Sequence, residues 1–168
     1  CEALCKIDQI DRPQIIFRRC PVDKTNRFNQ VLKKYSHLIF SIDPDWGGVI
    51  GSDGCFSENY PRFNDVSLLV NTLKHSDLVI NLGSTMAHDA AILDKPCLYL
   101  NYDPVVNSVF KVEDIYNFQH FRSMENLKAV GWINSKEEIL QKIVSALINP
   151  LEVGKDRKKW LKKIVLHP

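Results

Sequence analysis

Short apolar runs alternate along this chain with segments whose apolar residues recur at helical spacing. In these runs the apolar side chains stand at consecutive positions rather than at every second one. A strand of that kind is buried on both faces, which is typical of a parallel sheet covered by helices. The predicted strands are residues 14–18, 37–41, 78–82, 97–101 and 129–133.

Helical segments separate most of these strands. The alternation of strand and helix, with right-handed crossovers, predicts an α/β fold: a Rossmann-like, doubly wound, mostly parallel sheet with helices on both faces. The sequence places one helix after a cap at Asn64 or Asp65 and another after the capping box Ser135–Glu138. The remaining predicted helices are 27–35, 85–93 and 155–165, and the predicted irregular segments are 42–63 and 102–126.

The composition is that of one globular domain. The chain has 168 residues, of which 45% are hydrophobic and 25% are charged. That is enough for one sizeable core, and it argues against a disordered chain or a coiled coil. We therefore expect a single domain over residues 1–168. Because the sequence begins with Cys1 and not Met, we also expect it to be one part of a longer protein.

The five cysteines indicate a reducing compartment. They are odd in number and have no zinc-ligand spacing, and a chain of this size needs no disulfide framework. We therefore expect a cytoplasmic protein, with Cys97 buried in its apolar run as a small hydrophobic residue. The cysteines are Cys1, Cys5, Cys20, Cys55 and Cys97.

The net charge of +2 is unevenly distributed. Residues 1–150 carry 16 Lys and Arg against 18 Asp and Glu, whereas residues 151–168 carry 6 against 2. A nearly neutral body argues against a nucleic-acid partner. The basic C-terminal helix has Trp160, Leu161, Ile164 and Val165 on one face. This face either packs on the domain, the alternative we favour, or meets a membrane surface.

Residues 76–96 are the most informative stretch for function. They read as strand, small-residue turn, helix and strand, and ligands of open α/β sheets bind beyond the carboxyl ends of the strands. Gly83, Ser84 and Thr85 lie at such an end, where backbone N–H groups and hydroxyls suit a phosphate. Asp89, about one helical turn further, can accept from ribose hydroxyls. The alternative is that Ser84 only caps the helix and that Asp89 is a solvated side chain.

This stretch resembles the nucleotide-sugar-binding domain of GT-B glycosyltransferases. The likeness rests on the small-residue turn, on Asp89-Ala90-Ala91, and on Lys95-Pro96 before a strand. It is similar to the cytoplasmic lipid-linked N-acetylglucosaminyltransferases and to the wider bacterial polysaccharide transferases. Weaker likeness in the flanking segments, in the same order, extends it over most of the chain.

The resemblance implies a role for each matching residue. Gly83, Ser84 and Thr85 would hold the diphosphate of the donor, and Asp89 would bind its ribose. The further implied contacts are Arg18 or Arg19 at the phosphates, and Phe63 and Asn64 at the base. Relatives often have His-Pro where this chain has Cys20-Pro21, so no histidine role carries over there.

The resemblance also implies a reaction. Retaining relatives carry a carboxylate where this chain has Asn81, so we expect an inverting, metal-independent transfer from a nucleotide-diphosphate sugar, with UDP as the nucleotide and no cofactor. An acceptor-binding N-terminal domain would be the partner, and the protein would work in the cytoplasm or at the inner membrane face. The alternatives are a CDP-glycerol-type polyol-phosphate transferase, a UDP-sugar 2-epimerase-like domain and a non-catalytic nucleotide-binding module.

Two histidines and one acidic pair are weaker candidates. His88 lies next to Asp89 and His120 lies in an aromatic segment, so both are possible sugar contacts, although packing roles explain them as well. Asp43 and Asp45 are too few for a divalent cation site. Asp94 stands where relatives have Gly after the helix, and Asp tolerates the left-handed conformation expected there.

Overall fold

The computed structural model describes residues 1–8, 11–23, 25–48, 59–105 and 111–165. The chain divides into two compact units, Cys1–Leu69 and Val70–Pro168. The expectation of a single domain over the whole chain stays a prediction. Cys55, one of the five cysteines, lies outside the described residues.

The first unit combines a parallel and an antiparallel strand pair. Its elements are a short 3-10 helix (Leu4–Lys6), β1 (Ile15–Arg18), α1 (Asn29–Lys34), β2 (Ile39–Ile42), β3 (Trp46–Gly48) and β4 (Asn59–Pro61). β1 and β2 run parallel, and Ile15 is paired with Ile39. β3 and β4 run antiparallel, with Trp46 opposite Pro61. Helix α2 (Phe63–Lys74) starts in this unit and ends in the second.

The second unit contains a three-stranded parallel sheet in the order β5-β6-β7. Because its strands are parallel, their carboxyl ends lie at one edge of the sheet. We call this edge the carboxyl edge. The elements of the unit are β5 (Val79–Asn81), α3 (Met86–Ile92), β6 (Cys97–Leu100), α4 (Val112–Tyr116), α5 (Gln119–Arg122), β7 (Gly131–Ile133), α6 (Ile139–Ile148) and α7 (Arg157–Ile164).

Strand β6 is the centre of the core in the second unit. It lies between two neighbours, and its residues Leu98 and Tyr99 are 1% and 0% exposed. Consecutive burial of this kind is what the apolar runs predict for a strand covered on both faces. Cys97 is buried as predicted, and Ile133 of β7 and Trp160 of α7 are fully buried.

The prediction of an α/β protein with parallel strands and flanking helices is confirmed. Each of the five predicted strands has a counterpart whose ends lie within two residues of the predicted ones. The described strands form sheets of two, two and three strands. The finer assignment, a doubly wound Rossmann-like sheet, stays a prediction.

Several local predictions were wrong. Segment 42–63 contains the β3–β4 pair, and segment 102–126 contains α4 and α5. Helix α2 begins at Phe63, so neither Asn64 nor Asp65 caps it from outside. The helix predicted after Ser135 begins at Ile139, because residues 135–138 form turns in which the Glu138 and Ile139 N–H groups donate to the Ser135 and Lys136 carbonyls at 3.3 and 3.4 Å.

Other local predictions are confirmed. Asp94 has a φ of 55°, as expected for the end of α3. The C-terminal helix packs on α3, with the Trp160 ring edge-on to His88 at 4.7 Å. Among the residues that the structure describes, none of the helices has the length and apolar content that crossing a bilayer requires.

Candidate functional site

The turn at the end of β5, residues Gly83, Ser84 and Thr85, is held rigidly from several sides. Gly83 has a φ of 55°, and a Cβ there would lie 2.1 Å from Cγ2 of Ile115 in α4. Glycine is therefore required by backbone conformation and by the close approach of Ile115. The close approach of Ile115 differs from the reason expected for a glycine here, which was that the missing side chain makes room for a phosphate.

Neighbouring polar groups complete this turn. The Asn81 Oδ1 accepts from the Ser84 N–H at 3.2 Å, and Ser84 Oγ accepts from the Met86 N–H at 3.2 Å. The Tyr99 hydroxyl donates to the Ser84 carbonyl at 2.9 Å. Ser84 thus makes the cap-like contact that was the alternative to phosphate binding. Its hydroxyl proton can still be donated, and Thr85 is exposed.

Asp89 is the most suggestive of the predicted ligand-binding residues. It is half-buried in α3, and its side chain has no hydrogen bond or ion pair within the described part of the chain. Burial raises the pKa of this carboxyl above its ordinary value. A half-buried carboxylate without a compensating donor is costly, and ligand hydroxyls would supply the missing donors.

An open cavity of about 440 Å³ lies at the carboxyl edge. Asn101 and Asn134 directly follow β6 and β7, and their side chains are joined by a hydrogen bond of 2.9 Å from Nδ2 to Oδ1. The lining combines amides, one carboxyl group and two aromatic rings, a set that suits a polyhydroxylated ligand. The lining residues are Asn101, Glu113, Tyr116, Asn117, Trp132 and Asn134.

An aromatic cluster connects this cavity with the turn after β5. The Tyr116 ring lies 4.8 Å from Trp132 and 5.1 Å from Tyr99, the residue that holds the Ser84 carbonyl. Burial raises the pKa of Tyr116 although a backbone hydrogen bond from Gly83 lowers it, so its hydroxyl stays protonated. That hydroxyl donates to the Leu100 carbonyl at 2.5 Å and fixes α4 to the end of β6.

His88 and His120 lie near each other in the second unit. His88 packs on Trp160, and its Nε2 is buried with no hydrogen-bond partner among the described residues. Burial lowers the pKa of His88, and the nearby charge of His120 adds to this effect. His120 is exposed and lies on the ring of Phe121, with a centroid distance of 4.0 Å. The packing roles proposed as alternatives therefore account for both histidines.

In the first unit, Arg18 forms a buried ion pair with Asp65. Arg18 Nη2 donates to both carboxylate oxygens at 2.8 and 2.7 Å. The Asp45 N–H and the Trp46 indole donate to the same carboxylate, each at 2.8 Å. Burial would raise the pKa of Asp65, but these donors, Arg18 first, outweigh it and lower the pKa. The Arg18 charge is thus already compensated, although its Nη1 is buried without a partner in the described ranges.

The other predicted residues of the first unit are less constrained. Arg19 donates to the Thr25 carbonyl at 3.3 Å and has Asp43 at 3.8 Å, so it is the less committed of the two arginines. Phe63 is 84% exposed and Asn64 is also exposed, a state in which a planar base could stack on the ring.

The acidic pair and the cysteines have simple surroundings. Asp45 makes an ion pair with Arg62 at 3.0 Å. Over the described ranges, no group of three His, Cys, Asp or Glu side chains is arranged to hold a metal ion. Cys1, Cys5, Cys20 and Cys97 are free thiols.

Comparison with protein families, with curated proteins and with solved structures gives no match to this chain. The candidate site therefore rests on its own geometry. The structure places Gly83, Ser84, Thr85, Asp89, His88 and His120 in the second unit, and Arg18, Arg19, Phe63 and Asn64 in the first.

The cavity residues were missed by the sequence analysis. A signal was present, because Asn101 is the last residue of one predicted strand and Asn134 directly follows another, where ligand contacts of parallel sheets are expected. Glu113 and Tyr116 had no such signal, because their helix was predicted as irregular.

Proposed function

We propose that the carboxyl edge of the second unit binds a nucleotide-diphosphate sugar and that the chain is the donor-binding domain of an inverting GT-B glycosyltransferase. The observation that carries the proposal is the open polar cavity at the ends of β6 and β7, at the edge that also holds the Gly83–Thr85 turn. In a Rossmann-like domain, this edge is where the nucleotide binds.

Each part of the donor has a proposed contact. Ser84 and Thr85 donate to the diphosphate, and the uncompensated carboxylate of Asp89 accepts from the ribose hydroxyls. The cavity receives the sugar, whose hydroxyls pair with Asn101 and Asn134 while its apolar face lies on Trp132. The lining residues that the structure describes include no Lys or Arg, which favours a neutral sugar over a second phosphate at this point.

Arg19, Phe63 and Asn64 lie in the first unit, and the diphosphate and base contacts that the resemblance implies for them stay predictions. We infer that the base is uracil. Stabilising the departing diphosphate is the catalytic contribution of groups such as Ser84 and Thr85. The acceptor and the general base come from the proposed N-terminal partner domain, so the chain alone binds nucleotide weakly and transfers nothing. We infer a cytoplasmic location from the odd number of cysteines and the absence of a disulfide-framework spacing in the sequence.

Calorimetric titration with UDP, CDP and GDP tests the nucleotide site. We expect UDP to bind, and Asp89→Asn to weaken binding about tenfold or more through loss of charge-assisted hydrogen bonds. Asp77→Asn is the matched control, because Asp77 precedes β5 and so lies at the opposite end of this strand from the Gly83–Thr85 turn. No binding to any of the three nucleotides by folded protein would overturn the proposal. A preference for CDP would instead favour the polyol-phosphate transferase.

A second titration tests the cavity. UDP-glucose and UDP-N-acetylglucosamine should bind more tightly than UDP, and Asn101→Ala should remove that gain while leaving UDP affinity unchanged. Asn71→Ala, an exposed position on α2, is the control. Equal effects of Asn101→Ala on UDP and on the UDP-sugars would show that the cavity does not receive the sugar.

A further inference from the structure

Helix α7 presents a row of lysines to solvent. Lys158, Lys159, Lys162 and Lys163 are all exposed, and their spacing of i, i+1, i+4 and i+5 places them on one side of the helix. We call these four residues the lysine stripe. It lies in a segment, 155–163, that contains five lysines and one arginine against a single aspartate.

The opposite side of α7 is fixed to the second unit. Trp160 is 0% exposed, and its Nε1 donates to Ser123 Oγ at 2.8 Å. Arg157 is 4% exposed, with its Nε donating to Asp94 Oδ1 at 2.6 Å and its Nη1 donating to the Val153 carbonyl at 2.8 Å. These contacts set the rotation of the helix about its own axis, so that the lysine stripe faces outward.

The charge of the lysine stripe is only partly compensated. Lys158 has Asp94 at 3.4 Å, and Lys159 has Asp156 at 2.8 Å. Pairs between exposed side chains are weak and leave the local potential positive. Lys162 and Lys163 have no ion pair within the described residues.

We propose that the lysine stripe docks the protein on anionic membrane surfaces, with Trp160 kept inside the protein. Charge complementarity favours this partner, because basic residues on one helix face bind surfaces rich in anionic lipid. A nucleic-acid partner fits less well, since the aromatic ring of α7 is buried and cannot stack on a base. Docking is therefore electrostatic and superficial, in contrast to the insertion of an amphipathic helix. This surface is separate from the proposed donor site.

Vesicle co-sedimentation of the full chain tests this proposal. We expect binding to vesicles of phosphatidylcholine with 30% phosphatidylserine, and none to phosphatidylcholine alone. Each lysine near an anionic surface contributes about fivefold in partition, so Lys162→Gln with Lys163→Gln should weaken binding about 25-fold. Neither side chain has an ion pair in the described chain, so the variant should keep the native circular dichroism spectrum. Lys33→Gln with Lys136→Gln, two exposed lysines elsewhere, gives the same change in net charge and should bind within twofold of the parent.

Two further measurements separate the modes of binding. Raising the salt from 0.15 to 0.5 M should release the protein, and brominated lipids should leave tryptophan fluorescence unquenched. Binding that ignores anionic lipid, or that survives the Lys162 and Lys163 changes, would overturn the proposal. Quenching by brominated lipids would overturn superficial docking. Tighter binding of the full chain to single-stranded RNA than to the phosphatidylserine vesicles at 0.15 M salt, lost in the variant with Lys162→Gln and Lys163→Gln, would assign the lysine stripe to nucleic acid instead.

Discussion

Replacing Gly83 by alanine should destabilise the second unit for two separable reasons. The backbone of Gly83 is left-handed, with a φ of 55°, and that conformation costs about 1–2 kcal/mol for a residue with a Cβ. The new methyl would also lie 2.1 Å from Ile115 Cγ2, an overlap whose relief typically costs about 1–3 kcal/mol. The expected loss in the free energy of unfolding is therefore about 2–5 kcal/mol.

A double-mutant cycle separates the two terms. Ile115→Ala removes the overlapping methyl, so Gly83→Ala in that background should cost only the backbone term of about 1–2 kcal/mol. Urea unfolding of the four proteins, monitored by tryptophan fluorescence, gives the free energies. Asn126→Ala is a control for the backbone term alone, because Asn126 is exposed and has a φ of 62°.

Two results would refute this reasoning. If Gly83→Ala costs the same with and without Ile115, then α4 does not pack against the turn as described. If Gly83→Ala is neutral in both backgrounds, then the turn is not left-handed at Gly83. The first result would also remove the physical link between the turn and the cavity, since α4 contributes to both.

Three further predictions address other parts of the molecule. Asp65→Asn leaves the buried Arg18 without its counter-charge and should cost about 3–5 kcal/mol in urea unfolding. Adding Arg18→Met to Asp65→Asn should recover most of that loss, because the uncompensated charge is gone while the amide oxygen still accepts from the Asp45 N–H or the Trp46 indole; equal stability of the single and double variants would contradict this. The pKa of His88 is lowered from 6.5, so the folded protein loses stability as the pH falls below about 6.5. Thermal melts between pH 8 and 5 measure this loss, which should be smaller in His88→Gln. An identical pH profile of the variant would exclude His88 as the source of the loss. Burial raises the pKa of Cys97 to about 12, so this thiol should be unreactive in the folded protein. Iodoacetamide at pH 8, followed by mass spectrometry, should label Cys20 in folded protein and Cys97 only after denaturation. Early labelling of Cys97 would show that β6 is accessible.

The strands of both parallel sheets could be predicted because their signal is local. A run such as residues 97–100 is apolar at consecutive positions, and only a strand covered on both faces removes such a run from water. The antiparallel β3–β4 pair lacked this signal. Its strand β3 contains Gly47, where a Cβ would lie 2.7 Å from the Tyr60 ring, so the pairing depends on a distant aromatic residue.

Contacts between residues far apart in the sequence account for the features that the sequence analysis did not predict. Asp65 has a side chain and a position that are typical of a helix cap. The arginine that donates to its carboxylate, Arg18, is 47 residues away in the sequence. The short helices α4 and α5 have five and four residues, too few for a periodic pattern, and they are held by tertiary contacts such as those of the buried Phe121. The cavity was missed for the same reason, because it is assembled from two strand ends and one of these helices.

The position of Trp132 gives the protein an internal optical reporter. Of the three tryptophans, Trp132 lines the cavity. Trp160 is fully buried, and the Trp46 indole is hydrogen-bonded to Asp65 in the first unit. A sugar lying on the Trp132 indole would displace water from one face of the ring and change its emission, while the other two indoles would provide a constant background. Occupancy of this cavity can thus be followed without a label, and the Trp132→Phe protein supplies the blank.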